Sequence, residues 1–390
     1  MTDSARTLFK GGTIVTMDAK IPHLVVGDVL LEGDRVAAVE ANIGADDAEV
    51  IDAAGTIVLP GLIDAHHHAW LGVMRRLMPD VDDLFAYIDV VAEKLGAHYR
   101  PLDMYVSTKL TAIASLDAGI TTIVDASHNS RSPEHTDAAL ESLDSAGIRA
   151  LHMVGAAMDK KASAEHLPRD LERLSLNWNT SNSLVRVGLF GQLNLDWWKV
   201  ARSLNISILT EFIGDLAKLG PQFARPALGI DLDTAFGSDM FGEMRALFGQ
   251  QRTAMRYRRF RGEVNAAAQI SVDEVLRAAT VNGARVAGLE MTTGTLTPGK
   301  QADIIMLRTN GVAVFPVTNA VGTIVQAVER SDVDTVMVAG RLRKRSGKLV
   351  GVDIEKLAAE AIASLDYLRE ASGYRTNLFG TSTPELGVTA

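Results

Sequence analysis

Cysteine is absent from the 390 residues of this chain. Disulfide bonds, thiolate metal ligands and a cysteine nucleophile are therefore all excluded. No apolar run approaches the roughly 18 to 20 residues that a membrane-spanning helix needs. The N-terminal residues MTDSARTLFKGG lack the apolar stretch of a secretory signal, so we expect a cytoplasmic protein with no membrane partner.

Basic residues are in the minority. The chain carries 39 Lys and Arg against 48 Asp and Glu, which gives a net charge of −9. Binding to nucleic acid needs a basic face that releases counterions, so this balance argues against a nucleic-acid partner. One basic cluster, RTAMRYRRFRGE, alternates with apolar residues and predicts a solvated helix face.

Both ends of the chain favour short β-strands. Residues 1–57 and 293–350 alternate apolar residues with Gly and Asp turns, a pattern typical of small antiparallel sheets. Because this alternation of apolar and turn residues is the same at both ends, we predict one composite β-domain built from the two segments. Residues 351–390 are expected to form a C-terminal helix and tail.

The middle of the chain, residues 58–292, has a different pattern of apolar residues. Continuous apolar runs alternate with segments whose apolar residues recur at three- and four-residue steps, as in crossover helices. Apolar strands joined by helices indicate a parallel sheet, and their repetition predicts an α/β barrel of the TIM type. The runs are VLPGLIDAH, AGITTIVDAS, GIRALHMVGAA, LVRVGLFGQL, NISILTEF and ALGIDLDT.

Three consecutive histidines follow the first of these runs, in the sequence DAHHH. The two-residue period of a strand places His66 and His68 on one side and His67 on the other. Side chains at the carboxyl end of a barrel strand point into the mouth, where two imidazoles can bind one metal. We expect His67 to face the helices as an exposed, polar strand end.

Several motifs resemble one family. TIVLPGLIDAHHH is similar to the PGxxDxHxH signature of the amidohydrolase superfamily, and TGTLTPGKQADIIML is similar to its C-terminal GxLxPGKxADxxxx segment. DASHNSRSPEHTDAALESLDSAGIRAL and GIDLDTAFGSDMFGEMR resemble the branch with triazine hydrolases and cytosine or guanine deaminases. The resemblance extends to about Val352. It implies a metal-dependent hydrolase or deaminase on a (β/α)8 barrel with a small composite β-sandwich.

The resemblance also implies a set of site residues. His66 and His68 would be metal ligands. Asp231, at the end of the last apolar run, would bind the metal and carry the proton of the attacking water. The cofactor would be one divalent metal ion, and the partner a small-molecule substrate.

The histidines that the family uses later in the chain are missing. The last histidine of this sequence is His166, so the ligands expected at strands five and six are absent as histidines. Glu211 falls where the strand-five histidine belongs. Because a carboxylate can bind zinc, iron or manganese, we expect Glu211 to be the fourth ligand and to share in catalysis.

The interval from Glu211 to Asp231 is too short for two further βα units. It contains one helical segment, IGDLAKLG, and we therefore predict that strands six and seven are deleted. Strand number, tilt and shear are linked in a barrel, so we predict an incomplete or distorted one. An open edge and the apolar flank beside it favour a homo-oligomer.

Three further residues are candidates. His128 follows the second apolar run, and we expect it to be a catalytic residue in place of the missing histidines, although it could instead cap a helix. Trp70 and His152 are candidate substrate-binding residues, and a core position is the alternative for each.

Three functions remain open on the sequence alone. The first is metal-dependent hydrolysis of a C–N bond in a ring amide, amidine or amino-heterocycle. The second is metal-free acid–base chemistry, such as an elimination, cyclisation or isomerisation, on a truncated scaffold. The third is a non-catalytic binding protein. The survival of His66, His68 and Asp231 favours an enzyme.

Overall fold

The computed structural model describes residues 6–81, 83–160, 162–180, 183–191, 194–211 and 226–379. The strands are β1 (Arg6–Ile14), β2 (Leu24–Glu32), β3 (Arg35–Glu40), β4 (Glu49–Asp52), β5 (Thr56–Pro60), β6 (Leu62–His67), β7 (Ile120–Ser127), β8 (Arg149–Val154), β9 (Val185–Phe190), β10 (Ile208–Leu209), β11 (Ile304–Arg308), β12 (Val333–Val338), β13 (Arg341–Arg345) and β14 (Lys348–Leu349). The α-helices are α1 (Leu84–Tyr87), α2 (Pro101–Asp117), α3 (Pro133–Ala146), α4 (Leu167–Trp178), α5 (Leu195–Ser203), α6 (Met240–Phe260), α7 (Val272–Ala278), α8 (Val281–Val286), α9 (Ala320–Gln326) and α10 (Ile354–Ser372). A 3-10 helix spans Ala69–Met74, a π-helix spans Ile88–Leu95, and short 3-10 turns span Gly96–His98 and Arg330–Asp332.

The two ends of the chain share one sheet. Its strand order is β14-β13-β12-β11-β5-β1-β2-β3, and β4 pairs with β1. The antiparallel ladder between β5 and β11 joins the early strands to the late ones. The predicted composite β-region of the fold is confirmed by this ladder, and the exact domain limits of 1–57 and 293–350 remain a proposal.

The second sheet is parallel and has the order β10-β9-β8-β7-β6. Every residue of β7 and β8 is buried, because helices cover one face of the sheet and a curled interior covers the other. Leu151, Met153 and Phe190 pack together in an apolar cluster that is separate from the main core. This curled α/β sheet agrees with the predicted barrel.

The edges of the parallel sheet are short. At one edge, β10 has two residues, although the apolar run predicted there spans residues 205–212. At the other edge, residues 228–231 pair with β6 through hydrogen bonds from Ala65 N to Leu228 O and from Asp231 N to His66 O, both 2.9 Å. Among the described residues no ladder joins the two edges. The helix predicted at residues 213–220 lies outside the described residues.

Helix α6 is the longest helix of the described chain. Asp239 caps its first turn by accepting a hydrogen bond from Gly242 N at 2.8 Å. Met240, Phe241 and Met244 anchor this first turn in the core, whereas the last turns are exposed. No helix within the described ranges is long and apolar enough to cross a membrane.

Candidate metal centre

Four side chains converge at the carboxyl ends of the parallel strands. Nε2 of His66 lies 3.3 Å from Nε2 of His68, and Oε1 of Glu211 lies 3.1 Å from the first and 2.9 Å from the second. Oδ1 of Asp231 lies 3.3 Å from each of these nitrogens. All four atoms lie within 4.8 Å of one another. The structure therefore brings together the four residues predicted as metal ligands.

These separations fit one tetrahedral ion. Metal–ligand bonds of about 2.0–2.1 Å in a tetrahedron require ligand atoms about 3.3–3.4 Å apart. The measured nitrogen–nitrogen and nitrogen–oxygen distances, 2.9–3.3 Å, are close to that spacing. Two imidazoles with two carboxylates are a donor set that suits zinc, iron or manganese.

The backbone fixes the orientation of His68. Its Nδ1 lies 2.6 Å from the carbonyl oxygen of Ala126, so Nδ1–H donates to this oxygen and Nε2 keeps its lone pair. The side chain of His68 is 3% exposed and that of His66 is 26% exposed. Both nitrogen donors are thus available toward the mouth of the barrel.

The backbone of Asp231 is in an unusual conformation. Its φ of +69° lies in the left-handed region, which residues other than glycine seldom adopt but which Asp tolerates. Two hydrogen bonds along one edge of β6 hold it there, since Asp231 N donates to His66 O and His68 N donates to Asp231 O, each at 2.9 Å. A side chain at Gly229 would lie 2.8 Å from the backbone of His66, so a glycine is needed for this close approach.

His67 is not the exposed strand end that the sequence suggested. Its side chain is 1% exposed, with Nδ1 2.6 Å from Asp64 Oδ2 and Nε2 3.6 Å from Asp233 Oδ2. Asp64 also accepts a hydrogen bond from Ile230 N at 3.1 Å, and Asp233 accepts one from Thr111 Oγ1 at 2.9 Å. The expectation was wrong because residues 226–238 cover this side of β6. His67 connects β6 to the segment that carries Asp231.

Trp70 and His152 do not line the cavity beside the four donors. Trp70 is 1% exposed and packs edge-on against the rings of Tyr99 and His128. His152 is fully buried, and its Nδ1 lies 2.7 Å from Asp125 Oδ2. Trp70 and His152 therefore lie behind the wall in this structure, and their contact with a substrate stays a prediction.

His128 does reach the cavity. Its ring centroid lies 4.5 Å from that of His68, and Phe190 packs on it at 5.9 Å. Burial, together with the positive charge of His68, lowers the pKa of His128 to about 3. The His128 imidazole is therefore neutral, and its buried Nδ1 has no hydrogen-bond partner among the described residues.

Ion pairing dominates the electrostatics of the four donors. Burial opposes a charge on His66, but hydrogen bonds to Asp231 and Glu211 outweigh it and raise the pKa of His66 to about 9. Burial also opposes ionisation of the two carboxyls, but hydrogen bonds to His66 and His68 hold the pKa of each well below its usual range. Without a metal, the cluster is thus held together by at least one imidazolium and two carboxylates.

A cavity of about 430 Å³ adjoins the donors. The four donors at the strand ends were predicted from the sequence, but most of the other lining residues were not. These residues belong to the loop after the 3-10 helix and to the segment after Asp231. The signal available for that loop was only its DDLF sequence, a helix start. Besides the donors and His128, the cavity is lined by Val81, Asp83, Leu84, Tyr87, Ile88, Met158, Leu232, Ala235 and Phe236.

The curled parallel sheet, with two histidines and two carboxylates at the carboxyl ends of its strands, is typical of metal-dependent enzymes of the α/β-barrel class. A model of the amidohydrolase family matches residues 57–189 and 202–343. The chain belongs to the amidohydrolase family, whose members depend on metal, and it is a hydrolase of carbon–nitrogen bonds other than peptide bonds.

Curated relatives align along nearly their whole length. The chain is 25% identical to a 5-methylthioadenosine/S-adenosylhomocysteine deaminase of Pyrococcus horikoshii, over 90% of this chain and 97% of the relative. It is 23% identical to a 5'-deoxyadenosine deaminase of Methanobrevibacter smithii, over 89% and 95% of the two chains. The first alignment spans 422 positions, more than the 390 residues of this chain, so the relative contains segments that have no counterpart here.

Two solved structures share the fold. Atrazine chlorohydrolase of Arthrobacter aurescens, complexed with zinc, superposes with a TM-score of 0.77 at 20% identity, over 92% of this chain and 100% of that one. An adenosine deaminase of Xanthomonas campestris with bound zinc superposes with a TM-score of 0.75 at 17% identity, over 94% and 99%.

Proposed function

We propose that the protein uses one divalent metal ion, zinc in the first instance, to remove an amino group from an amino-substituted heterocycle by hydrolysis. The convergence of His66, His68, Glu211 and Asp231 at metal-binding distances carries this proposal. The deaminase relatives support the type of bond. The adjoining cavity of about 430 Å³ has the size of a small-molecule site.

The metal would be held by the four donors and, with water as an additional fifth ligand, would act as a Lewis acid that lowers the pKa of that water. Asp231 is placed to handle the proton, because its carboxylate is 45% exposed and lines the cavity. It would accept a proton from the attacking water and donate it to the leaving nitrogen. His66 and His68 stay neutral in this scheme, since both use Nε2 as a ligand.

His128, which lines the cavity, would assist the same reaction. As a neutral imidazole it can exchange a hydrogen bond with a ring nitrogen or with the oxygen that enters the substrate. It contributes no charge that would compete with the metal. We propose that His128 thereby replaces the polarising histidine that this chain lacks.

The decisive experiment measures metal and activity in the same samples. Protein purified without a histidine tag is stripped with a chelator, reconstituted with zinc, iron or manganese, and analysed by elemental mass spectrometry. Ammonia release is then measured on aminopurine nucleosides and amino-triazines. We expect about one metal ion per chain and activity that returns with it.

The matched variants are His68→Ala and His98→Ala. His98 is exposed and lies outside the cavity, so its variant should keep metal and activity. His68→Ala should lose both together. Metal occupancy that is the same in the two variants would contradict the proposed centre, and activity that survives full metal removal would contradict the reaction.

A further inference from the structure

The wall of the cavity is mostly apolar, with two polar groups outside the metal centre and His128, the hydroxyl of Tyr87 and the carboxylate of Asp83. Val81, Leu84, Ile88, Met158 and Phe236 present aliphatic, thioether and aromatic surfaces. Asp83 is the remaining charged residue, and no Lys or Arg is among the described residues of the wall. A carboxylate in an apolar wall is a specificity element, because apolar surface alone distinguishes ligands poorly.

Among the described residues, only one carboxylate oxygen of Asp83 has a hydrogen-bond partner. Asp83 is the N-cap of α1, and its Oδ1 accepts a hydrogen bond from Phe85 N at 2.9 Å. Among the described residues, no cationic side chain pairs with its carboxylate. The capping bond fixes the carboxylate at the wall, and Oδ2 remains free to accept a hydrogen bond from a ligand.

The charge balance of the cavity also distinguishes Asp83. A divalent ion is balanced by Glu211 and Asp231, and the imidazoles of the centre are neutral when they bind metal. Asp83 then carries the one unbalanced charge among the described residues of the cavity. An anionic ligand would meet repulsion there, whereas a cation would gain a charge-assisted hydrogen bond.

We propose that Asp83 is a specificity-determining residue that selects heterocycles bearing a protonated amine or amidinium group and excludes anionic ones. This inference rests on the proposed function for the location of the reacting ring. The ring would lie against the apolar wall, with its cationic arm at Asp83 and its amino group at the metal centre.

Three isosteric probes test the charge preference on the zinc-reconstituted full chain. They are melamines with an aminoethyl, a hydroxyethyl or a carboxymethyl arm on one exocyclic nitrogen. Calorimetry measures affinity, and ammonia release measures turnover. We expect the aminoethyl compound to bind about tenfold more tightly than the hydroxyethyl compound. The carboxymethyl compound should bind more weakly than either.

Asp83→Asn removes the charge but preserves the helix cap, because Asn and Asp are equally good N-caps. Its melting temperature and zinc content should therefore equal those of the wild type. The ratio of aminoethyl to hydroxyethyl affinity should fall from about ten to about one, with the hydroxyethyl affinity unchanged. Asp80→Asn, an exposed position outside the wall, should keep the wild-type ratio.

The outcomes separate this inference from the proposed function. A wild-type affinity for the hydroxyethyl compound that equals the aminoethyl affinity overturns the role of Asp83, as does an unchanged ratio in Asp83→Asn. Asp83-dependent binding without ammonia release from any probe would overturn the reaction and leave the selectivity standing. Failure of all three probes to bind at millimolar concentration counts against both.

Discussion

Nδ1 of His67 lies 2.6 Å from Oδ2 of Asp64, and both side chains are buried. The pair sits between the two histidines proposed as metal ligands, His66 and His68, and the segment that carries Asp231. Asp64 Oδ1 accepts hydrogen bonds from the backbone of His66 and of Ile230, at 3.2 and 3.1 Å. The middle histidine of the triplet therefore aligns β6 with residues 228–231, and these two segments carry or adjoin three of the four proposed ligands.

Replacement of His67 tests this alignment. His67→Asn leaves Asp64 and Asp233 buried without their shared imidazole, and removal of one partner from a buried ion pair costs about 3–5 kcal/mol. We expect the free energy of unfolding to fall by about that amount in urea titrations, with weaker zinc binding. His98→Asn is the control. A variant as stable as the wild type would show that the contacts to Asp64 and Asp233 contribute nothing.

The same residue predicts a pH dependence. Burial opposes a charge on His67, but the charges of Asp64 and Asp233 outweigh it and raise the pKa of His67 to about 10. A raised pKa contributes stability that is complete below the unfolded value of about 6.5 and is lost as pH rises through about 10. The stability difference between wild type and His67→Asn should therefore shrink from pH 7 to pH 10. A difference independent of pH over that range would mean that His67 is neutral.

Metal binding should release protons near neutral pH. The pKa of His66 in the metal-free protein is about 9, so at pH 7 this imidazole carries a proton that the metal must displace. We expect calorimetric zinc titrations in buffers of different ionisation enthalpy to show release of about one proton per ion or more. Zinc affinity should also fall as pH is lowered. An enthalpy that is the same in all buffers would indicate that the nitrogens are already free.

Glu211 tests the substitution of a carboxylate for a histidine. Glu211→Gln replaces a charged ligand with a neutral amide, which is a poor ligand for zinc. Metal affinity should fall about tenfold or more, as measured by competition with a fluorescent chelator. Glu290→Gln, an exposed position, serves as the matched control. Equal affinity in the two variants would mean that Glu211 points away from the ion in solution.

A homo-oligomer is the last expectation. Tyr257, Phe260 and Val264 are 59%, 86% and 96% exposed at the end of α6 and just beyond it. Tyr257 and Phe260, three residues apart on α6, share one helix face, and exposed apolar side chains that adjoin in this way mark an association site more often than isolated ones do. Sedimentation should give a multiple of the 41.8 kDa chain mass. The double variant Phe260→Ser, Val264→Ser should shift the mass toward the monomer, and a monomeric wild type at micromolar concentration would refute the prediction.

The ligands were predictable because a strand has a fixed side-chain period. His66 and His68 point to the same side at the carboxyl end of β6, and the apolar run and Pro-Gly step that precede them are visible in TIVLPGLIDAHHH. Glu211 followed from the alignment of its apolar run with strand five of the amidohydrolase family, although that run forms only two residues of strand. Functional residues at the end of a strand can thus be predicted from the sequence even where the strand itself is short.

The surroundings of the ligands were not predictable, because they depend on contacts between distant segments. The burial of His67 results from Asp233, which lies far along the chain. Similarly, Trp70 and His152 are aromatic and imidazole groups near the mouth in sequence, but packing against His128 and Asp125 places them behind the wall. A periodic pattern indicates which face a side chain occupies but not what covers that face.

The geometry of the sheet edges gives the metal centre a second consequence. His66, His68 and Asp231 belong to one edge, whereas Glu211 follows β10 at the other. An ion shared by these residues would therefore act as a clasp across a seam that backbone hydrogen bonds do not close within the described chain. Ligand binding to the folded state adds to its stability in proportion to the logarithm of free ligand concentration. The stability of the curled sheet would then depend on the metal concentration, and loss of metal would destabilise the fold as well as abolish the activity.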